Sequence, residues 1–210
     1  MREALIWGAS GGIGSAVSVA LHRRDWVVHT ASRSGQSTSA NGGVALCFDA
    51  EREDSVRTAC FEVAQVSSGL DLMVYAVGDM VYNRLDEIGT SDWDRVLFSN
   101  LTGAFWVSNY VLPLMKPDAH LVFVGAYIDH LRLPRMGAYA VAKAGLQELV
   151  AVLAKENRKL KFTVLRPGPV NTPFWNKVGF RMPADAKTPD QVAMALLEHV
   201  ESGASGALDL

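Results

Sequence analysis

A chain of 210 residues, 49% hydrophobic and 20% charged, can bury a sizeable core without metal or disulfide staples and reads as one compact domain, 1–210. Its 20 basic and 22 acidic residues give a formal net charge of -2 with no long run of one sign, which excludes the footprint of a nucleic-acid or membrane-surface binder and leaves a small molecule as the expected partner. Cys47 and Cys60 form no CxxC and the histidines have no ligand spacing, so neither a disulfide framework nor a metal site is indicated, and both thiols are expected to be reduced and buried. The opening run, Met1 to Gly8, is too short for a secretory leader and no apolar stretch suggests a membrane span, so a cytoplasmic protein is expected.

Along the chain, short runs rich in β-branched residues alternate with amphipathic segments. Strands are predicted near 3–8, 26–31, 43–48, 71–77, 120–126 and 160–166, with a last one at 206–210. Helices are predicted near 12–24, 53–66, 91–112, 137–158 and 189–202, the last opened by Thr188-Pro189-Asp190 with proline at the first helical position. This β-α order implies an α/β fold: a Rossmann-like, doubly wound parallel sheet flanked by helices in three layers. Only residues 34–43 depart from it, because that stretch holds turn formers where a crossover helix belongs.

Gly8-Ala9-Ser10-Gly11-Gly12-Ile13-Gly14 follows an apolar strand and opens a helix. Glycines in that context let the backbone pass close to a pyrophosphate, whose charge meets free N–H groups and the positive end of the helix dipole. Tyr139 and Lys143, four apart in a helical segment, emerge on one face about a turn from each other. An ammonium beside a phenol favours the phenolate, which would make Tyr139 a proton donor and acceptor.

The spacing Gly-x3-Gly-x-Gly, from Gly8 to Gly12 to Gly14, resembles that of the short-chain dehydrogenase/reductase family. Further landmarks of the classical type follow in family order: Asp49, Tyr75-Ala76-Val77-Gly78, Asn100, Tyr139-x3-Lys143 and Arg166-Pro167-Gly168-Pro169-Val170-Asn171-Thr172. The resemblance covers nearly the whole chain. It implies an NAD(P)(H)-dependent oxidoreductase that moves hydride between nicotinamide and a carbonyl or alcohol carbon. Tyr139 would be the acid/base, Lys143 would lower its pKa and hold the nicotinamide ribose, and Asn100 would hold a relay water. Asp49 and Ala50 would lie along the adenine, with Ala76, Val77 and Gly78 beside the adenosine ribose. Pro167, Gly168, Val170 and Thr172 would orient the carboxamide, and Ser10, Gly11 and Ile13 belong to the phosphate turn. A homodimer or homotetramer through the long helices is also implied; Ala144, Leu146, Leu149, Val150 and Leu153 fit either such a face or an internal one.

At the end of the second strand Ser32-Arg33-Ser34 offers a guanidinium and two hydroxyls with no competing acid, which suits a ribose 2′-phosphate. NADP(H) is therefore the expected cofactor and NAD(H) the alternative, with Arg33 as a solvated surface arginine the plain structural reading.

The family's serine, thirteen positions before the tyrosine, is here Ala126, and slippage cannot supply it because Ser108 is the only Ser or Thr between Thr102 and Thr163. Losing such a donor typically costs about 10²–10³ in turnover. Either another donor serves, most obviously neighbouring Tyr127, or the protein is a catalytically weak NADP(H)-binding sensor. Phe174, Trp175, Val178, Phe180 and Met182, with Lys177 and Arg181, read as an apolar lid over a pocket that includes Ala126 and Tyr127. His130, Arg132 and Arg135 receive no role.

Overall fold

The computed structural model describes residues 1–210. Strands β1 (Glu3–Trp7), β2 (Val27–Ser32), β3 (Ala45–Cys47), β4 (Leu70–Tyr75), β5 (Met115–Val124), β6 (Lys161–Arg166) and β7 (Gly206–Asp209) form one sheet in the order β3-β2-β1-β4-β5-β6-β7. Every neighbouring pair is parallel. The central strands are buried on both faces, which is why they read as continuous apolar runs rather than alternating ones.

Helices α1 (Gly12–His22) and α7 (Pro189–Glu201) pack on one face through Val17, Leu21, Val192 and Leu196 against Ala4, Ile6 and Val74. Helices α2 (Glu53–Val66), α4 (Gly103–Val111) and α6 (Gly137–Glu156) cover the other, where Val63, Val107 and Leu146 meet Leu5, Trp7 and Phe123. Two further helices, α3 (Thr90–Leu97) and α5 (Ile128–Leu131), complete the set. This is the three-layer arrangement that the β-α order implies. Thr188 caps α7 in a full capping box with Gln191, and residues 34–43 form turns, held by the Val28–Ala40 bridge.

Several details differ from the sequence expectations. The helix expected over 91–112 is interrupted: α3 runs into a π-helical turn, Phe98–Thr102, and only then into α4. Strand β5 begins earlier than 120, because Met115 pairs with Leu70 before a register shift. Cys47 is exposed, since β3 is a three-residue edge strand with outward-facing ends, while Cys60 is buried and burial pushes its thiol up to about 12. Leu146, Val150 and Leu153 face the chain's own core, and the large apolar residues that α6 exposes are Val141 and Val152. Contrary to the hydropathy reading, α6 is long and apolar enough to cross a membrane by length and composition; here it lies against the sheet and carries the buried Lys143.

Candidate functional site

At the C-terminal end of the sheet, each glycine of the first turn answers a separate steric demand. Gly8 has φ +81°, and a Cβ there would lie 2.8 Å from the Ala76 carbonyl oxygen. On Gly14 a Cβ would come within 2.4 Å of the Gly8 carbonyl, and on Gly12 within 2.4 Å of Thr172 Cγ2. The turn thus packs against the ends of β4 and β6 at once. No side chain caps α1 and no acid stands in its first turn, so its free N–H groups face a cleft lined by Ser10, Gly11, Gly12 and Ile13. Gly14 is buried beneath the turn and does not line the cleft.

One half of the cleft, about 150 Å³, lies between the glycine turn and the ends of β2, β3 and β4. Ser32 and Arg33 form one wall, Asp49 and Ala50 another, and Ala76, Val77 and Gly78 the third. The Ser32 hydroxyl is buried without a hydrogen-bond partner. Ser34 lies outside this half, its Oγ accepting the Gln36 N–H at 3.3 Å. Asp49 is held by a local turn in which its carboxylate accepts the Glu51 N–H at 3.0 Å. Phe48, Asp79, Ser99 and Lys177 also contribute here, and the sequence did not single them out for this wall.

The other half, about 510 Å³, is the larger and more apolar. From α6, Tyr139 and Lys143 enter it one turn apart, with Lys143 Nζ 5.6 Å from the tyrosine ring centroid. Lys143 is 2% exposed and donates to the Val124 carbonyl at 2.6 Å. Burial pulls its ammonium down to about 7 and pushes the Tyr139 phenol up. The shift on Tyr139 is opposite to the one that the Tyr-x3-Lys spacing suggests, because desolvation of the phenolate dominates while the ammonium is engaged by Val124.

Asn100 sits within the π-helical turn, fully buried. Its Nδ2 donates to the carbonyls of Asp79 at 2.6 Å and Val96 at 2.8 Å, which fixes the amide and leaves Oδ1 buried without a partner. A Cβ on residue 78 would stand 3.2 Å from that oxygen and 3.9 Å from Lys143 Nζ, so glycine there keeps a small space open between two polar atoms. A π-helical turn is a common device for aiming a side chain at a site.

Ala126 and Tyr127 line the same half, as do Phe174 and Trp175. Ala126 is 8% exposed and its carbonyl accepts from Gln147 Nε2 at 2.7 Å. The Tyr127 ring lies between the Arg166 guanidinium, at 5.6 Å, and the His130 ring, at 5.2 Å. His130 is therefore part of the wall, brought there by the short helix α5 that the sequence pattern does not show. The segment after β6 is locked in place: Gly168 N–H donates to the Leu210 carbonyl at 3.1 Å and Lys187 N–H to the Pro169 carbonyl at 2.9 Å. This positions Pro167, Gly168, Val170 and Thr172 on the floor. Beyond them a short 3-10 helix, Pro173–Lys177, carries the lid. Phe174 lies 5.5 Å from Tyr139, and Trp175 and Tyr82 flank Phe180 at 5.6 and 6.2 Å. Val178 joins this wall, whereas Arg181 and Met182 stay outside it. Arg132 pairs with Asp129 on the surface, and Arg135 lies over Tyr82.

Comparison with known proteins agrees with this geometry. Residues 2–181 match the family model described as short chain dehydrogenase. An uncharacterised oxidoreductase of Schizosaccharomyces pombe is 27% identical over 93% of this chain and 82% of its own length. A sepiapterin reductase of Chlorobaculum tepidum is 25% identical over 92% of this chain and 88% of its own. In fold, the chain is similar to an alcohol dehydrogenase of the archaeon Thermococcus sibiricus, solved with 5-hydroxy-NADP, with a TM-score of 0.88 at 23% identity over 100% of this chain and 96% of that one. A short chain dehydrogenase of Burkholderia cenocepacia, solved in complex with NADP, gives a TM-score of 0.84 at 22% identity, again over 100% and 96%. With its sheet order, its glycine turn and a family match across most of its length, the chain belongs to the short-chain dehydrogenase family of oxidoreductases.

Proposed function

We propose that this protein is an NADP(H)-preferring carbonyl reductase or alcohol dehydrogenase of the classical type that works without the family's serine. The observation that carries this reading is a pair of unpartnered buried polar atoms at the cleft, Ser32 Oγ in the wall of its smaller half and Asn100 Oδ1 directly behind Gly78, together with a glycine turn whose helix N–H groups are uncapped. Buried polar atoms rarely go unsatisfied, so each marks a place where a hydroxyl, phosphate or water belongs. The residues present fit the dinucleotide along its whole length. Ser32 and Arg33 would hold the ribose 2′-phosphate, Asp49 and Ala50 would border the adenine, and Ser10 to Ile13 would hold the pyrophosphate. Val170 and Thr172 would face the carboxamide. NAD(H), lacking the 2′-phosphate, would bind more weakly.

Bound nicotinamide supplies or accepts the hydride. The chain's own residues handle the proton. Tyr139, whose phenol burial keeps protonated at neutral pH, gives its proton to the oxygen of the carbonyl being reduced and takes one back on oxidation. Lys143, poised near 7, can return a proton to the phenolate, and the space beside Gly78 suits a water accepting from Lys143 Nζ and donating to Asn100 Oδ1. With Ala126 in the serine's place, the wall beside the substrate oxygen would be apolar, and the Tyr127 hydroxyl, from the same half of the cleft, would be the replacement donor.

The pocket formed by Phe174, Trp175, Val178, Phe180, Leu131 and Leu133 suits an apolar or aromatic carbonyl compound. Exposed Phe105 on α4, with Val141 and Val152 on α6, supports assembly as a homodimer or homotetramer through these helices. The test is NADPH oxidation with a panel of aldehydes, ketones and quinones: turnover that disappears in Tyr139→Phe supports the reading, and turnover that survives the substitution refutes it. Tight NADPH binding without turnover across the panel would instead favour the sensor.

A further inference from the structure

Asp79 follows the glycine at the end of β4 and forms part of the wall of the smaller half of the cleft, with its side chain 14% exposed. A carboxylate there would repel a nucleotide's phosphates unless it were neutralised. Two cations meet it. Arg95, from α3, pairs with Asp79 Oδ2 and is steadied by Asp92 at 2.8 Å; Lys177, from the end of the 3-10 turn, pairs with Asp79 Oδ1. Arg95 is fixed on a helix and is shared between Asp79 and Asp92. Lys177 is the less enclosed of the two cations: it ends the short 3-10 turn, and its side chain is 47% exposed against 33% for Arg95.

Lys177 also lines both halves of the cleft, together with Ser10 and Gly11 of the glycine turn. The boundary between the halves is where a dinucleotide's two bridging phosphates must cross. Resting on the cofactor reading above, we propose that Lys177 holds the bridging pyrophosphate of the bound nucleotide, leaving Asp79 to Arg95 and drawing the lid down over the cofactor. The surroundings favour the exchange: burial and repulsion from Arg95 and Arg33 together pull the Lys177 ammonium below its usual value, and a phosphate between these cations would relieve that repulsion. Thr172, packed on Gly12 five residues earlier, anchors the base of the loop to the phosphate turn.

The experiment is fluorescence titration of the intact wild-type, Lys177→Met and Lys177→Arg proteins with NADPH and with NADH, paired with tryptic cleavage at Arg181. One lost charge-assisted contact should raise the Kd of Lys177→Met for both nucleotides about tenfold and by the same factor, since both carry the pyrophosphate. Lys177→Arg should stay within about threefold of wild type. NADPH should slow cleavage at Arg181 in wild type but not in Lys177→Met. A Kd within about twofold of wild type for both nucleotides overturns the proposal, and so does a rise confined to NADPH, which would place the lysine at the 2′-phosphate instead. A wild-type protein that binds neither nucleotide overturns the cofactor reading and this proposal with it, whereas normal wild-type binding with no effect of Lys177→Met overturns this proposal alone.

Discussion

Asn100 Oδ1 and Lys143 Nζ, on separate helices, flank a single small space kept open by the missing side chain of residue 78: a Cβ there would lie 3.2 Å from the first and 3.9 Å from the second. Gly78→Ala should therefore fill the space proposed for a relay water. We expect kcat to fall at least tenfold, within the roughly 10²–10⁴ that positioned proton transfer contributes, with thermal stability nearly unchanged. Parallel kinetics and melting curves decide it; unchanged kcat would remove the water from the relay.

Ala126→Ser should return a hydroxyl to the substrate wall. If the rest of the site is assembled, turnover of a weak carbonyl substrate should rise by about tenfold or more, against the 10²–10³ usually lost when such a donor is removed. No gain would mean that Tyr127 or another group already does this work, or that the site is silent.

Lys143 has a stability signature that is independent of activity. Its folded pKa, about 7, lies below the ordinary lysine value of 10.5, so between those values the unfolded chain binds more protons than the folded one. Stability then rises with pH across that window. Lys143→Met should flatten this rise and increase the melting temperature at pH 7, by roughly 2–4 °C for each kcal/mol of relieved burial, while abolishing turnover. A melting temperature that falls would show the ammonium to be a net stabiliser.

On the far side of the sheet, His120 Nε2 lies 2.7 Å from Thr163 Oγ1, which in turn lies 3.0 Å from His199 Nε2. Burial, with His199 and Lys161 adding repulsion, pulls His120 down to about 4 from an ordinary 6.5. A depressed folded pKa means that stability is whole above 6.5 and declines as pH falls toward 4. The loss from His120 alone should be about 3 kcal/mol, read from urea unfolding at a series of pH values. In His120→Asn the acid-side decline should shrink, leaving the part due to His29 and His199, whose values burial also lowers.

What could be read in the sequence was local. Gly8, Gly12 and Gly14 share one turn, and Tyr139 and Lys143 share one helix face, so spacing alone places them. The parallel sheet followed from apolar runs separated by amphipathic segments. The partners that close the site are remote in sequence: Lys177 reaches Asp79 across 98 positions, and His130 enters the wall only because α5 forms after β5. The π-helical turn at Asn100 escaped because it continues the same helical periodicity on either side. The sign of the Tyr139 shift escaped as well, since spacing records the neighbouring charge but not the burial that outweighs it.

The most direct measurement is fluorescence titration of the wild-type and Tyr139→Phe proteins with NADPH, followed in the same cuvette by NADPH oxidation with a panel of apolar and aromatic carbonyl compounds. Nucleotide binding of similar strength in both proteins, with turnover in the wild type alone, is the predicted result. Absence of NADPH and NADH binding to the wild type, or equal turnover by both proteins, would contradict it.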